Sequence, residues 1–131
     1  MANEISIQAS LSCVRDVITV QASGSRTVNQ TGTKALMTQV TAPTTTAFTL
    51  IDTTKLPLAN CGYLFVKNMD AANYVEISTD STFTAANIIA RLNGGSPGDF
   101  CFLPINKSPV PTLYVRANTA AVIVLVAAAE M

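Results

Sequence analysis

The chain has 131 residues, a length typical of one domain. Hydrophobic residues make up 49% and charged residues 12%, and eight basic side chains balance eight acidic ones, so the formal net charge is zero. Because no surplus of positive charge is present to hold a phosphate backbone, the composition argues against nucleic-acid binding. We therefore predict one domain over residues 1–131 that binds no nucleic acid.

The low content of charged residues also bears on association. Soluble domains carry about 25% charged residues, about twice the fraction in this chain. One explanation is that part of the surface is covered by a partner or by further copies of the chain. The other is a surface rich in Thr and Ser that is polar without being charged. The composition is compatible with both explanations.

The first third of the chain predicts strands. Residues 4–12 alternate between polar and apolar side chains, with Ile5, Ile7, Ala9 and Leu11 on one face, which is typical of a half-buried strand. Residues 17–22 are rich in β-branched side chains and end at a Ser-Gly-Ser turn. Residues 35–40 fit a strand or one helical turn, and their Thr-rich neighbours favour the strand. Residues 1–46 are either the first strands of the domain or partly an assembly arm that packs on a neighbouring subunit.

The middle of the chain predicts a hairpin. Residues 47–51 form a short strand, and a loop follows over residues 52–57. Residues 62–68 are almost continuously hydrophobic, which indicates a strand covered on both faces. A short polar link over residues 69–73 leads into a strand over residues 74–78. Two strands joined by so short a link predict an antiparallel pair.

The last part of the chain predicts further strands. Residues 84–92 fit a strand or a one-turn helix, and the Gly-rich residues 93–98 end that segment. A strand over residues 99–103 precedes a loop bracketed by prolines, and residues 113–117 and 121–126 predict a terminal strand pair. About eight to ten short strands in one chain indicate an all-β, single-domain antiparallel β-sandwich, jelly-roll-like. The predicted core consists of Leu64, Val66, Val75, Ile77, Phe100, Phe102, Leu113, Val115, Ile123 and Leu125.

The residues offer no catalytic chemistry. The chain contains no histidine, which excludes Ser-His-Asp and Cys-His catalysis and imidazole ligation of a metal. The Gly-rich segment from Gly94 to Gly98 lacks the Lys-Ser/Thr pair of a phosphate-binding loop and is predicted to be a turn. We therefore predict no catalytic residues, no cofactor-binding residues and no cofactor, and we predict that the protein is not an enzyme.

Four carboxylates are candidates for a site at one end of the fold, namely Asp70, Glu76, Asp80 and Asp99. A glycosidase pair or a calcium site would need several of these oxygens at a defined separation. Their spacing matches no calcium-binding loop, so solvated turn carboxylates are the favoured interpretation. The sequence thus predicts no metal site.

The cysteines and the apolar segments indicate location. Cys13, Cys61 and Cys101 are odd in number and widely spaced, which argues against a zinc site and a disulfide framework. They are predicted to be buried or half-buried free thiols in a reducing compartment. The first residues do not have the pattern of a signal peptide. The longest apolar run, residues 120–129, has about half the length of a membrane-spanning helix, so we predict a buried strand and no membrane partner.

Three motifs in order resemble small virion-associated structural proteins of tailed bacteriophages. The first is Tyr63-Leu64-Phe65-Val66-Lys67-Asn68-Met69-Asp70-Ala71-Ala72-Asn73-Tyr74-Val75-Glu76-Ile77, the second is Pro97-Gly98-Asp99, and the third is Leu113-Tyr114-Val115-Arg116-Ala117-Asn118-Thr119-Ala120-Ala121-Val122. The resemblance covers residues 62–126. The chain departs from the pattern by inserting Asn93 to Ser96, by Asp99 in place of Glu, and by its Ala-rich end.

The resemblance implies a non-enzymatic capsid decoration or cement protein that binds and stabilises the shell of the major capsid protein. The implied partners are the major capsid protein and copies of the chain itself, as a homo-oligomer. The implied location is the capsid surface of the virion, after synthesis in the bacterial cytoplasm of the host. The alternative is a head-fibre, collar or tail-fibre module with a receptor-binding role. A carbohydrate-binding sandwich is a weaker alternative, because the chain contains no Trp for sugar stacking.

Overall fold

A computed structural model describes residues 4–15, 18–30, 32–45, 48–51, 55–105 and 112–130. These residues form ten strands and two short 3₁₀ turns, and there is no α-helix among them. Every strand pairing is antiparallel. The predictions of an all-β chain and of antiparallel sheets are therefore confirmed.

The chain divides into two compact units, residues 1–31 and residues 32–131. The first unit contains β1 (Glu4–Arg15) and β2 (Ile18–Asn29), which pair with each other along their whole length. We call this pair the N-terminal ribbon. The unit boundary lies before residues 35–40, whose predicted strand is confirmed within the second unit. The single domain over residues 1–131 and the arm within residues 1–46 stay predictions.

The second unit contains the remaining strands, arranged in two four-stranded sheets. In chain order they are β3 (Ala35–Ala42), β4 (Phe48–Thr49), β5 (Cys61–Asn68), β6 (Val75–Ser78), β7 (Ile88–Leu92), β8 (Phe100–Pro104), β9 (Tyr114–Ala117) and β10 (Val122–Glu130). One sheet has the order β3-β10-β5-β8, and the other has the order β4-β9-β6-β7. The 3₁₀ turns are Leu58–Asn60 and Ala85–Asn87.

Two predicted strand pairs are wrong. The strands before and after residues 69–74 belong to different sheets, because β5 pairs with β10 and β8 whereas β6 pairs with β7 and β9. The strands before and after residues 118–121 also lie in different sheets, so β9 and β10 form no terminal pair. In both places the short link carries the chain across to the other sheet. A short link restricts the distance between strand ends, but it does not force the two strands to share hydrogen bonds.

The buried side chains of both sheets form one hydrophobic cluster. Six predicted core residues are buried in it: Leu64, Val66, Val75, Ile77, Leu113 and Val115. Three are exposed and were wrongly predicted, namely Phe100 at 64%, Phe102 at 38% and Ile123 at 48%, while Leu125 is half-buried. The alternation along β10 explains two of these cases, because Val122, Val124 and Val126 point inward and place residues 123 and 125 on the other side.

Other predicted segments are confirmed in part. Both alternatives for residues 84–92 occur, since a 3₁₀ turn leads directly into β7. The strand predicted over residues 47–51 is limited to Phe48–Thr49 among the described residues, and Leu56, assigned to a loop, is fully buried. Some predicted positions lie outside the described residues, namely the start of the strand over residues 17–22, the start of the strand over residues 47–51, the first half of the loop over residues 52–57, and Pro109 and Pro111.

Candidate interaction surface

The outward side of the β3-β10-β5-β8 sheet carries apolar side chains. Along β5, Leu64 and Val66 are buried, so the alternation turns Tyr63 and Phe65 to the opposite side. The strand register places Phe65 beside Phe102 on one neighbouring strand and beside Ala127 on the other. We call this side the aromatic face, and its apolar members are Met37, Tyr63, Phe65, Phe100, Phe102, Ile123, Leu125 and Ala127.

The aromatic rings of this face stack in two diagonal pairs. The ring centroids of Tyr63 and Phe102 are 5.2 Å apart with an interplanar angle of 23°, and those of Phe65 and Phe100 are 5.7 Å apart with an angle of 30°. Stacked rings contribute contact area and lose little side-chain freedom when a partner binds. Lys67, which is paired with Phe100 across the strands, supplies the positive charge on this face. A contiguous exposed apolar surface of this kind is typical of an interaction site.

The N-terminal ribbon also has one apolar face. Cross-strand pairs place Ile5 beside Val28, Leu11 beside Ala22 and Cys13 beside Val20, whereas the opposite face is rich in Ser, Gln and Thr. The predicted strand over residues 4–12 is confirmed, but half-burial is wrong for Ala9 and Leu11, which are exposed. Among the described residues of its unit, the ribbon is not covered by a second layer. Two-stranded ribbons alone are marginally stable in water. This apolar face is therefore the second candidate surface.

The outward side of the other sheet has a charged centre. Glu76 lies on β6 between Arg91 of β7 and Arg116 of β9, with N–O distances of 2.6 Å and 2.9 Å. The side chain is 6% exposed, so the prediction of a solvated turn carboxylate is wrong for Glu76. Burial alone would raise the pKa of Glu76, but the hydrogen bonds from Arg116 and Arg91 outweigh it, and the pKa is lowered. Both carboxylate oxygens of Glu76 accept hydrogen bonds from these arginines, so the carboxylate links three neighbouring strands of the sheet.

The three predicted turn aspartates do lie in turns. Asp70 Oδ1 accepts hydrogen bonds from the main-chain N–H groups of Ala72 and Asn73 at 2.8 Å and 2.6 Å. These two hydrogen bonds lower the pKa of Asp70, and the bond from Asn73 has the larger effect. Asp80 binds Thr82 through both the hydroxyl and the main-chain N–H, which lowers the pKa of Asp80. Asp99 Oδ2 accepts bonds from the main-chain N–H and side-chain amide of Asn93. Among the described residues, no three His, Cys, Asp or Glu side chains are grouped to hold a metal ion.

Asn68 is a buried polar position that the sequence pattern did not single out. Its fully buried side chain donates to the main-chain oxygens of Asn73 and Leu92 at 2.8 Å and 3.0 Å, and its Oδ1 accepts a bond from Asp70 N. Gly98 packs against the same residue, because a Cβ placed there would lie 2.3 Å from Asn68 O. The signal in the sequence was a polar residue at the end of an apolar strand, directly before a turn.

The cysteines differ in exposure. Cys13 is exposed, which corrects the prediction for that residue, while Cys61 is buried and Cys101 is half-buried. Burial raises the pKa of Cys101 to about 11, so this thiol is protonated and a poor nucleophile at neutral pH. The thiol of Cys61 donates a hydrogen bond to Tyr63 O at 3.1 Å. In the described parts of the chain, no helix has both the length and the apolar character needed to cross a membrane.

No family model, curated protein or solved structure matches this chain.

Proposed function

We propose that this chain is a non-enzymatic structural protein of a bacteriophage virion, specifically a capsid decoration or cement protein that binds the major capsid protein and stabilises its shell. The observation that carries the proposal is uncovered apolar surface in both units. The aromatic face and the apolar face of the ribbon present Phe100 at 64% exposure and Leu11 at 61% exposure, in a chain with 12% charged residues. Two such surfaces suit a protein whose role is to hold neighbours together.

The residues that carry the resemblance to virion proteins have structural roles. Asn68, Asp70 and Asn73 of the first motif bond to one another, and Gly98 of the second motif packs on Asn68. Asp99 binds Asn93, which belongs to the inserted segment. Because these polar groups are bonded within the fold, the motifs fit a structural, non-enzymatic role.

The proposed architecture is a jelly-roll-like β-sandwich. Its support is the single apolar cluster to which both four-stranded sheets contribute, together with the links at residues 69–74 and 118–121 that lead from one sheet to the other. In this arrangement the aromatic face and the side bearing Glu76 are the two outer surfaces of the sandwich. The proposed assembly is a homo-oligomer on the outside of the capsid.

The test is the amount of the protein in purified virions and the effect of its loss. A decoration protein is expected at a copy number comparable to that of the major capsid protein. Particles that lack it should release their DNA at a lower temperature than complete particles and still adsorb normally to the host. A small fraction of that copy number, together with an adsorption defect in particles lacking the protein, would overturn the proposal in favour of the fibre or receptor-binding module. Absence from virions would overturn both.

A further inference from the structure

We propose that the N-terminal ribbon of one copy packs its apolar face on the aromatic face of a second copy. The contact joins two different surfaces, so each chain can contribute its ribbon to one contact and its aromatic face to another. This inference goes beyond the proposed capsid role and is independent of it, because it requires only this chain.

The two surfaces match in character and in shape. The ribbon presents Leu11, Val20 and Ala22 as a narrow apolar strip. The aromatic face is several strands wide and carries two stacked ring pairs on which such a strip can lie. Sheets pack face to face at about 10 Å when both surfaces are apolar. The ribbon thereby gains the second layer that its own unit does not provide.

The area indicates that each chain must use both surfaces. β10 has nine residues, so the aromatic face is about 30 Å long, and a two-stranded ribbon is about 10 Å wide. One contact then has a footprint of about 300 Å², well below the about 800 Å² per partner of a stable interface. When a chain both contributes its ribbon to a partner and binds the partner's ribbon, the contact area between the two chains approaches that of a stable interface. The expected assembly is therefore a closed dimer, in which the two copies exchange ribbons and share two contacts.

The charges favour this contact over the pairing of two aromatic faces. A two-fold pairing of aromatic faces would bring two copies of Lys67 into one apolar interface, at a cost in desolvation and repulsion. The register places the two arginines of the ribbon on either side of an uncharged part of its apolar face, from Ala9 to Cys13, with Arg26 opposite Ile7 and Arg15 opposite Ile18. That part can cover the aromatic face beside Lys67. Because no ion pair drives the contact, added salt should not weaken it.

The experiment uses full-length chains with complementary changes, followed by sedimentation over a concentration series. Leu11→Asp places a carboxylate on the ribbon face, and Phe102→Asp places one on the aromatic face. Each variant alone should raise the Kd for self-association by about tenfold or more, because an unpaired charge is buried in the contact. An equal mixture of the two variants restores one ribbon-to-face contact per pair, so it should associate more strongly than either variant alone and less strongly than the wild-type chain, which has two contacts per pair.

Two matched variants serve as controls. Ser10→Asp lies on the polar face of the ribbon next to Leu11, and Ile89→Asp lies on the other sheet at 47% exposure. Both should leave the Kd within about twofold of the wild-type value. Circular dichroism checks folding, and Met37→Asp, at 78% exposure, replaces Phe102→Asp if the latter alters the spectrum.

The remaining outcomes overturn the inference. The inference is contradicted by a wild-type chain that stays monomeric at every concentration, or by a mixture that associates no more strongly than the single variants. Dissociation by Leu11→Asp alone indicates contacts between ribbons, and dissociation by Phe102→Asp alone indicates contacts between aromatic faces. Maleimide labelling of Cys13 gives a second readout, since association should slow it. If the copies exchange ribbons but virions lack the protein, the inference stands and the proposed function fails.

Discussion

The side-chain amide of Asn68 donates a hydrogen bond to the main-chain oxygen of Leu92, 3.0 Å away and 24 residues along the chain. Asn68 ends β5 and Leu92 ends β7, so this buried bond ties one four-stranded sheet to the other. Asn68→Ala leaves the acceptor oxygens without their donor and should lower the free energy of unfolding by about 1 to 3 kcal/mol. Urea denaturation measures this, with the exposed Gln39→Ala as the control. An equal effect of both changes would refute the structural role of Asn68.

A methyl group at Gly98 should disturb the same junction. The added Cβ would meet the main-chain oxygen of Asn68 at 2.3 Å, and backbone atoms there cannot move aside as a flexible side chain would. Gly98→Ala should therefore destabilise the protein by about 1 to 3 kcal/mol. Gly24→Ala is the matched control, because nothing lies within 4 Å of a Cβ at that position. Thermal unfolding of the two variants measures the difference. A Gly98→Ala protein as stable as the Gly24→Ala protein would contradict the close packing of Gly98 on Asn68.

The inner and outer sides of one sheet should respond differently to truncation. Leu64→Ala removes a fully buried side chain and should cost about 2 to 5 kcal/mol. Phe102→Ala removes a ring that is 38% exposed and stacked on Tyr63, so in the unassociated chain the loss should stay below about 1.5 kcal/mol. Denaturation at a concentration below the association range provides the measurement. A larger loss for Phe102→Ala would place that ring in the core, as the sequence alone had predicted.

Acid should destabilise the fold through the carboxylate between the two arginines. The folded-state pKa of Glu76 is lowered from its ordinary value of 4.5, so its stabilising contribution is complete above about pH 4.5 and is lost as the pH falls through the folded-state value. Glu76→Gln should lower the free energy of unfolding by about 1 to 3 kcal/mol at pH 7. The loss stays this small because Arg91 and Arg116 are partly hydrated. The variant should also show a smaller fall in stability below pH 4.5. An unchanged pH profile would contradict this role for Glu76.

The strands could be predicted because local alternation and turn residues specify them. The inward positions of Leu64, Val66, Val75 and Ile77 followed from the same patterns. Pairing could not be predicted, since the partners of a strand depend on where the chain crosses between sheets. Phe102 shows where sequence-based prediction of burial fails. A hydrophobic side chain is predicted to be buried in the core, but the same residue type also occurs on exposed apolar faces.

The charged centre of the second sheet was missed for a related reason. Glu76 and Arg91 are 15 residues apart in the sequence and Arg116 is 40 from Glu76, so only the register of three strands brings them together. Glu76 by itself has the pattern of any polar residue that alternates along a strand. The turn aspartates were easier to predict, because Asp70 and Asp80 bond to main-chain groups within three residues of themselves.

The central position of β10 has a consequence for biosynthesis. β10 lies between β3 and β5, and it is translated after every other strand of its sheet. On the ribosome, β3 therefore lacks β10, the strand with which it pairs among the described residues. The four-stranded sheet is complete only after the segment Val122–Glu130 has left the exit tunnel. The two strands of the N-terminal ribbon are adjacent in sequence and can pair long before that. Nascent chains of this protein thus contain both strands of the ribbon before they contain the complete aromatic face that we propose receives it, so exchange between copies begins only after synthesis of β10.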